Sequence, residues 1–342
     1  MSALVSRLVT IGPHAGSHRI AVRATVSITV PLLVLLAADH LSWSIYAAFG
    51  AFTSLYGRER AGLHRMRLQL TVGAVQTAMV TLGVLVGLSG QRAWLSVPLA
   101  AMVAVGASAL SARQGWHPPG SLFQVFGFAA VASIPAEPGD VPRALAVSAA
   151  SALFAVAVGN VGSLWRRVRR PGPAVLPDRP IGGAVEGVWR YALQSGVGVG
   201  LAGALATGSG IGRPYWAMVS AVVPLAARAL PVQLVRGLHR VVGTALGLAL
   251  AWVILELGLE GIAVVVVVAA MQAGAELLVG RNYALALVFV TPLALLMVHL
   301  VAPVPTGELL ADRGLETLMG VVVGLVVGYV SRPGERVRSY AG

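Results

Sequence analysis

Long stretches of apolar residues alternate with short polar segments along the whole chain. The apolar stretches are roughly 15–23 residues long, which is about the length that a helix needs to cross a bilayer. The pattern therefore predicts an all-α, polytopic membrane protein with about twelve transmembrane helices. The predicted spans are residues 20–38, 42–57, 66–88, 94–112, 119–135, 142–165, 186–207, 214–230, 238–256, 260–279, 282–300 and 314–331.

Composition supports this class and narrows the partners. Of the 342 residues, 57% are hydrophobic and only 11% are charged, which is more apolar surface than a soluble protein could bury. The net charge of +12 does not indicate a nucleic-acid-binding protein, because the arginines lie in short loops between apolar runs. The predicted surroundings are a lipid bilayer. With no cysteine and no nucleotide-binding loop, we expect no metal site, no cofactor and no enzymatic activity.

Basic residues are concentrated in every second loop. Arginine-rich loops remain in the cytoplasm, so both termini are predicted to be cytoplasmic and the protein to lie in a bacterial inner membrane. The predicted cytoplasmic segments carry Arg7, Arg58, Arg60, Arg65, Arg67, Arg113, Arg166, Arg167, Arg169, Arg170, Arg179, Arg228, Arg236, Arg240, Arg281, Arg332, Arg336 and Arg338. The opposite segments carry Arg92, Arg143, Arg213 and Arg313, together with Asp39, Glu137, Asp140, Glu256, Glu260, Glu308 and Asp312.

A basic, proline-rich linker at residues 166–185 separates six predicted spans from six. It defines a first membrane repeat at residues 1–165 and a second at residues 186–342. Four features recur in order in the two halves, which predicts a parallel repeat about an axis along the membrane normal. They are the sequence Gly-Leu-His-Arg at 62–65 and 237–240, and the pairs Trp43 and Trp216, Arg23 and Arg190, and Arg143 and Arg313.

Three motifs in the second half resemble those of the fusaric acid resistance-like family, the aromatic acid exporters. They are Arg-Val-Val-Gly-Thr at 240–244 with Gly247, then residues 281–292 from Arg-Asn-Tyr to Thr-Pro, then residues 312–320 around Glu316. The resemblance covers residues 185–331 strongly and 17–165 faintly. Glu316 stands where the family usually has aspartate, and Leu68-Gln69 replaces the Gly-Thr pair in the first half.

Two carboxylates within predicted spans are the candidates for proton coupling, because ionisable groups at membrane depth are costly to bury. Glu316 shares a small, polar helix face with Gly320, which we expect to face protein. A carboxylate at the outer surface that caps a helix is the alternative. Glu276 lies about one turn before Arg281, and a surface pair between these two residues is favoured over a proton site.

Candidate substrate-binding residues follow from the motifs and from charge. They are Arg240, Thr244, Tyr283, Thr291, Arg23 and Arg190. Arg240 heads the Gly-Thr motif and is predicted to lie deeper than Arg236. Ordinary anchoring at the cytoplasmic surface is the favoured interpretation of Arg23 and Arg190. Tyr46, Phe49, Phe52 and Tyr56 recur at helical spacing and suit either packing or an aromatic substrate.

The resemblance implies a secondary transporter that exports small organic or aromatic anions. The absence of a nucleotide-binding loop favours the proton gradient as the driving force. A passive anion channel is the first alternative, since plant malate channels are similar to this family in their membrane part. A non-transporting membrane scaffold is the second. A homo-oligomer is compatible with the sequence.

Overall fold

A computed structural model of the chain describes residues 8–14, 16–60, 62–169, 187–227 and 229–332. These residues form α-helices joined by short loops. Helices of eight residues or more in the described part are α1 Ser17–Ala37, α2 Ser44–Ala51, α3 Gly62–Gly87, α4 Arg92–Gln114, α5 Leu122–Ala132, α6 Asp140–Arg169, α7 Val188–Gly208, α8 Tyr215–Leu225, α9 Leu230–Glu256, α10 Gly261–Leu278, α11 Tyr283–Val301 and α12 Thr306–Val330. Each corresponds in order to one predicted span. Residues 170–185 of the predicted linker lie outside the described residues.

Eight of the described helices are long and apolar enough to cross a membrane, namely α1, α3, α4, α6, α9, α10, α11 and α12. The prediction that all twelve apolar stretches are span-length is wrong for α2, α5 and α8, which have 8, 11 and 11 residues. These three helices are almost entirely buried. Their apolar character therefore reflects burial in the protein interior and not contact with lipid, as is usual for short apolar runs.

Glycines allow the long helices to approach the short ones closely. A Cβ atom at Gly320 of α12 would collide with the carbonyl oxygen of Ala217 in α8, and one at Gly324 with that of Ala221. In the first half, a Cβ atom at Gly50 of α2 would collide with a backbone carbonyl of α6. Small residues at such crossings are typical of membrane helices, whose association depends on close van der Waals contact.

The helices of the two halves pack in the same order. In the first half, α1 packs on α2, α6 packs on α1, α2 and α3, and α5 packs on α3 and α4. In the second half, α7 packs on α8, α12 packs on α7, α8 and α9, and α11 packs on α9 and α10. Each contact has its counterpart six helices later. The contacts between the halves also form two related pairs, α1 on α10 with α4 on α7, and α2 on α11 with α5 on α8.

Loops that the charge pattern assigns to one side of the membrane contact one another. On the predicted cytoplasmic side, Arg281 and Asn282 bond to carbonyl oxygens of the N-terminal segment at residues 8–14. On the opposite side, Arg213 forms an ion pair with Asp312 at 2.6 Å. The ion pairs among the described residues each join residues of one predicted side. The assignment of one side to the cytoplasm remains a prediction.

Replacing Gly320 by valine should destabilise the protein, because the added side chain would overlap the backbone of α8. We expect a loss of about 2–3 kcal/mol in unfolding free energy, seen as a lower melting temperature in detergent. Gly307→Val is the matched control, since Gly307 lies in the same helix with open space around it. Equal stability of the two variants would contradict the close packing of α12 on α8.

Single cysteines can assign the two sides, because the natural chain contains none. Ser209, between α7 and α8, and Gly280, between α10 and α11, are both exposed. A membrane-impermeant thiol reagent added to intact cells should label Ser209→Cys, whereas Gly280→Cys should require opened membranes. The reverse pattern would invert the predicted orientation.

Candidate functional site

A largely apolar cavity lies between the two halves, where α2 and α5 face α8 and α11. Its volume is about 80 Å³, which is smaller than the roughly 300–1,000 Å³ of most small-molecule sites. Phe49, Phe52, Phe123, Phe126 and Trp216 give it aromatic walls. Phe49 and Phe52 belong to the aromatic pattern noted in the sequence. The other two members, Tyr46 and Tyr56, are buried outside the lining of this cavity.

Arg240 of α9 is one of two charged side chains that line the cavity. It is only 3% exposed. Its Nε and Nη2 atoms donate to the hydroxyl of Ser220 at 3.3 Å each, and Nη1 donates to the hydroxyl of Tyr283 at 3.4 Å. These partners are neutral, and the described structure contains no carboxylate within ion-pair distance of this guanidinium. The predicted deep position of Arg240 agrees with this placement.

Arg313 of α12 is the second charged side chain of the cavity. The sequence pattern did not predict it as a site residue. It is 1% exposed, and its guanidinium carbon lies 3.8 Å from the ring centroid of Trp216. The Nε and Nη1 atoms have no hydrogen-bond partner among the described residues. The sequence placed Arg313 in a loop because its charge ended the apolar run. In the structure α12 begins at Thr306, so Arg313 lies about two turns inside the helix.

Two buried guanidinium groups without a carboxylate partner form an electropositive site in an apolar environment. Burial of an uncompensated charge costs several kcal/mol or more, and the cost falls when a counter-ion binds. Arg240 and Arg313 also repel one another electrostatically. Guanidinium groups bind carboxylates through paired, charge-assisted hydrogen bonds. The arrangement is therefore suited to an anion that carries an apolar or aromatic body.

Glu316 lies one turn after Arg313 on α12 and has no solvent exposure. Its Oε1 atom accepts a hydrogen bond from the backbone N–H of Arg213 at 2.9 Å, just before the start of α8. Oε2 is buried with no hydrogen-bond partner among the described residues. The alternative of a helix cap at the outer surface is therefore wrong about exposure, because Glu316 is buried. It accepts its hydrogen bond at the start of α8 from inside the protein. The expectation that its helix face turns toward protein agrees with this burial.

The remaining motif residues of the second half lie around these charges. Tyr283 bonds to Arg240, as described above. Thr291 is fully buried beside Gly247, and its hydroxyl has no hydrogen-bond partner among the described residues. Thr244 does not line the cavity. It lines a separate apolar groove between α9 and α12.

Glu276 lies elsewhere, at the predicted cytoplasmic end of α10. It pairs with Arg58 of the first half at 3.5 Å, and Gln272 donates to its other oxygen at 3.5 Å. The expected surface pair with Arg281 is therefore wrong. The sequence favoured Arg281 because it is close along the chain, but its Nε atom donates to the carbonyl oxygen of Gly12.

Arg23 and Arg190 do not line the cavity. Arg23 donates to the carbonyl oxygen of Ser54 at 3.2 Å, and its charge interacts with Arg58 and Glu276. Arg190 is exposed and bonds to the carbonyl oxygen of Ser331 at the end of α12. Both contacts tie helix ends together, as expected of anchoring residues.

The first half has a related but uncharged interior. Arg143 lies over Trp43 at 5.8 Å, as Arg313 lies over Trp216, but the Arg143 side chain is 50% exposed and pairs with Asp140. Gln69 occupies the place of the Gly-Thr motif and donates to the carbonyl oxygen of Tyr56. The described contacts therefore concentrate the buried charge of the cavity in the second half.

The similarity to known proteins also lies in the second half of the chain. Residues 201–327 match the family described as fusaric acid resistance protein-like. The uncharacterized membrane protein YvaC of Bacillus subtilis (strain 168) is 32% identical over 136 residues, which are 40% of this chain and 22% of that protein. The match thus spans about a fifth of the relative's length, and no solved structure matches the chain. Residues 201–327, which contain the three motifs, are therefore similar to the fusaric acid resistance protein-like family.

Proposed function

We propose that the protein is a secondary transporter that exports small organic anions, including aromatic acids, from the cytoplasm. The observation that carries the proposal is the pair of buried arginines, Arg240 and Arg313, which lack a carboxylate partner at an aromatic cavity. The family of the matched region supports the same class of function.

An aromatic carboxylate matches the chemistry of both parts of the cavity, which must widen to admit a ring. Its carboxylate would accept hydrogen bonds from the unpaired Nε–H and Nη1–H groups of Arg313 and from Arg240. Its ring would lie among the phenylalanines and Trp216, which also has an unpaired indole N–H. Cations would be repelled by the two guanidinium groups, so the site discriminates by charge as well as by shape.

Glu316 is the residue that we propose for proton coupling. Its unpaired oxygen is buried, and its charge acts on Arg313. Because the charge of Glu316 changes the field at Arg313, protonation of the carboxylate and binding of the anion influence one another. Glu276 is the weaker candidate, since Arg58 already compensates its charge.

We further propose that the two halves form a parallel repeat, with both termini in the cytoplasm of a bacterial inner membrane. The matching helix contacts and the two Arg–Trp pairs support the repeat. The separation of basic and acidic loops supports the orientation. A homo-oligomer is compatible with the long exposed apolar faces of the outer helices.

Substitution of Arg240 should reduce anion transport far more than substitution of Arg236, one turn earlier and only partly buried. Arg240→Gln removes a charge from the cavity, so we expect uptake of benzoate by inside-out vesicles to fall about tenfold or more. Arg236→Gln is the matched control and should retain most of the flux. Small and equal losses at equal protein level would remove Arg240 from the site.

Glu316→Gln separates coupled transport from a passive channel. In proteoliposomes, benzoate flux through the unaltered protein should respond to an imposed pH gradient, whereas flux through Glu316→Gln should follow the benzoate gradient alone. Insensitivity of the unaltered protein to the pH gradient would favour the anion channel. Absence of any flux would favour the non-transporting scaffold.

A further inference from the structure

Three buried charges act on the cavity, those of Arg240, Arg313 and Glu316, and are called the set below. Arg240 and Arg313 are the charged side chains that line the cavity, and each is at least 97% buried. Glu316 is the carboxylate whose charge acts on Arg313. With both guanidinium groups and the carboxylate ionised, the set carries one net positive charge.

Three further charges lie outside the cavity, namely Arg213, Asp312 and Glu308. Asp312 is bound to Arg213 at 2.6 Å, and Glu308 lies 3.9 Å from the same guanidinium with more than half of its side chain exposed. The water-facing position of Glu308 weakens its influence on the interior. With Glu308 screened by water, the set of Arg240, Arg313 and Glu316 retains one net positive charge, which one monovalent anion would neutralise.

We propose that Glu316 is a built-in counter-ion that sets the ligand charge, so that the cavity selects monovalent over divalent anions. The inference rests on the proposed function of this cavity. It adds a specificity-determining residue for the charge of the transported anion.

The physical reason is the cost of net charge in an apolar interior. Binding of a monovalent anion brings the set of Arg240, Arg313 and Glu316 to neutrality. Binding of a divalent anion would leave one excess negative charge in the set, and its repulsion by the Glu316 carboxylate would weaken binding. Loss of the Glu316 charge leaves two positive charges, which a divalent anion neutralises.

The geometry makes this change of charge accessible to experiment. In Glu316→Gln, the amide oxygen can still accept the hydrogen bond from the backbone N–H of Arg213, so the cap of α8 is preserved. The variant thus changes the charge of the site with little change in shape.

Calorimetric titration of the purified protein in detergent tests the proposal with benzoate, a monoanion, and phthalate, a dianion, at pH 9.5, so that the Glu316 carboxyl is ionised. The unaltered protein should bind benzoate about tenfold or more tightly than phthalate. Glu316→Gln should reverse the preference. Asp312→Asn is the matched control, because it removes a carboxylate four residues before Glu316 whose charge is paired with Arg213 at 2.6 Å, and it should keep the preference for benzoate.

A second pair of variants tests whether the charge of Glu316, and not a structural role, affects binding. Arg313→Gln leaves one positive and one negative charge and should lose most of its affinity for both probes. The double variant Arg313→Gln, Glu316→Gln again carries one positive charge and should regain affinity for benzoate. A structural role of Glu316 would predict a further loss in the double variant.

The outcomes distinguish this inference from the proposed function. If the unaltered protein binds benzoate and Glu316→Gln keeps the same preference, Glu316 does not set the ligand charge, and the anion site stands. The same conclusion follows if the double variant regains no affinity. If the unaltered protein binds neither probe, the anion site itself is overturned, and the inference with it.

Discussion

The electrostatic cost of Arg240 and Arg313 in an apolar interior governs the arrangement of the second half. The two guanidinium groups interact with different neutral partners. Arg240 donates to two neutral hydroxyl groups, and Arg313 lies against the π-face of Trp216 at 3.8 Å. Cation–π and neutral hydrogen-bond interactions are weaker than a salt bridge to a buried carboxylate. The positive charge of both groups is thus only partly compensated within the protein and would attract an anion.

This arrangement depends on how closely α12 lies on α8. Trp216 and Ser220 are one helical turn apart on α8, and Gly320 of α12 lies against the backbone between them. Because Gly320 has no side chain, α12 comes close enough for Arg313 to reach Trp216 and for Glu316 to cap α8. Trp216 of α8 and the backbone N–H of Arg213, just before α8, are therefore the partners of the two fully buried charges of α12.

The order of the helices and much of the site could be predicted from sequence, because apolar runs and deep charges leave direct signals. Glu316 and Arg240 were found in this way. The length of α2, α5 and α8 was not predicted, since hydropathy does not distinguish a residue that faces lipid from one that faces protein. Arg313 was missed because a charge was taken to end its helix. The Arg58–Glu276 pair joins residues 218 positions apart, a contact that no local pattern encodes.

The Arg58–Glu276 ion pair also bears on how the two halves can move. It joins the loop after α2 to the end of α10, and the Glu276 side chain is only 7% exposed. Separation of the halves at this face would leave a carboxylate without its cation in a poorly hydrated position, at a cost well above that of a surface pair. The interaction therefore stabilises the contact between the two halves at this face.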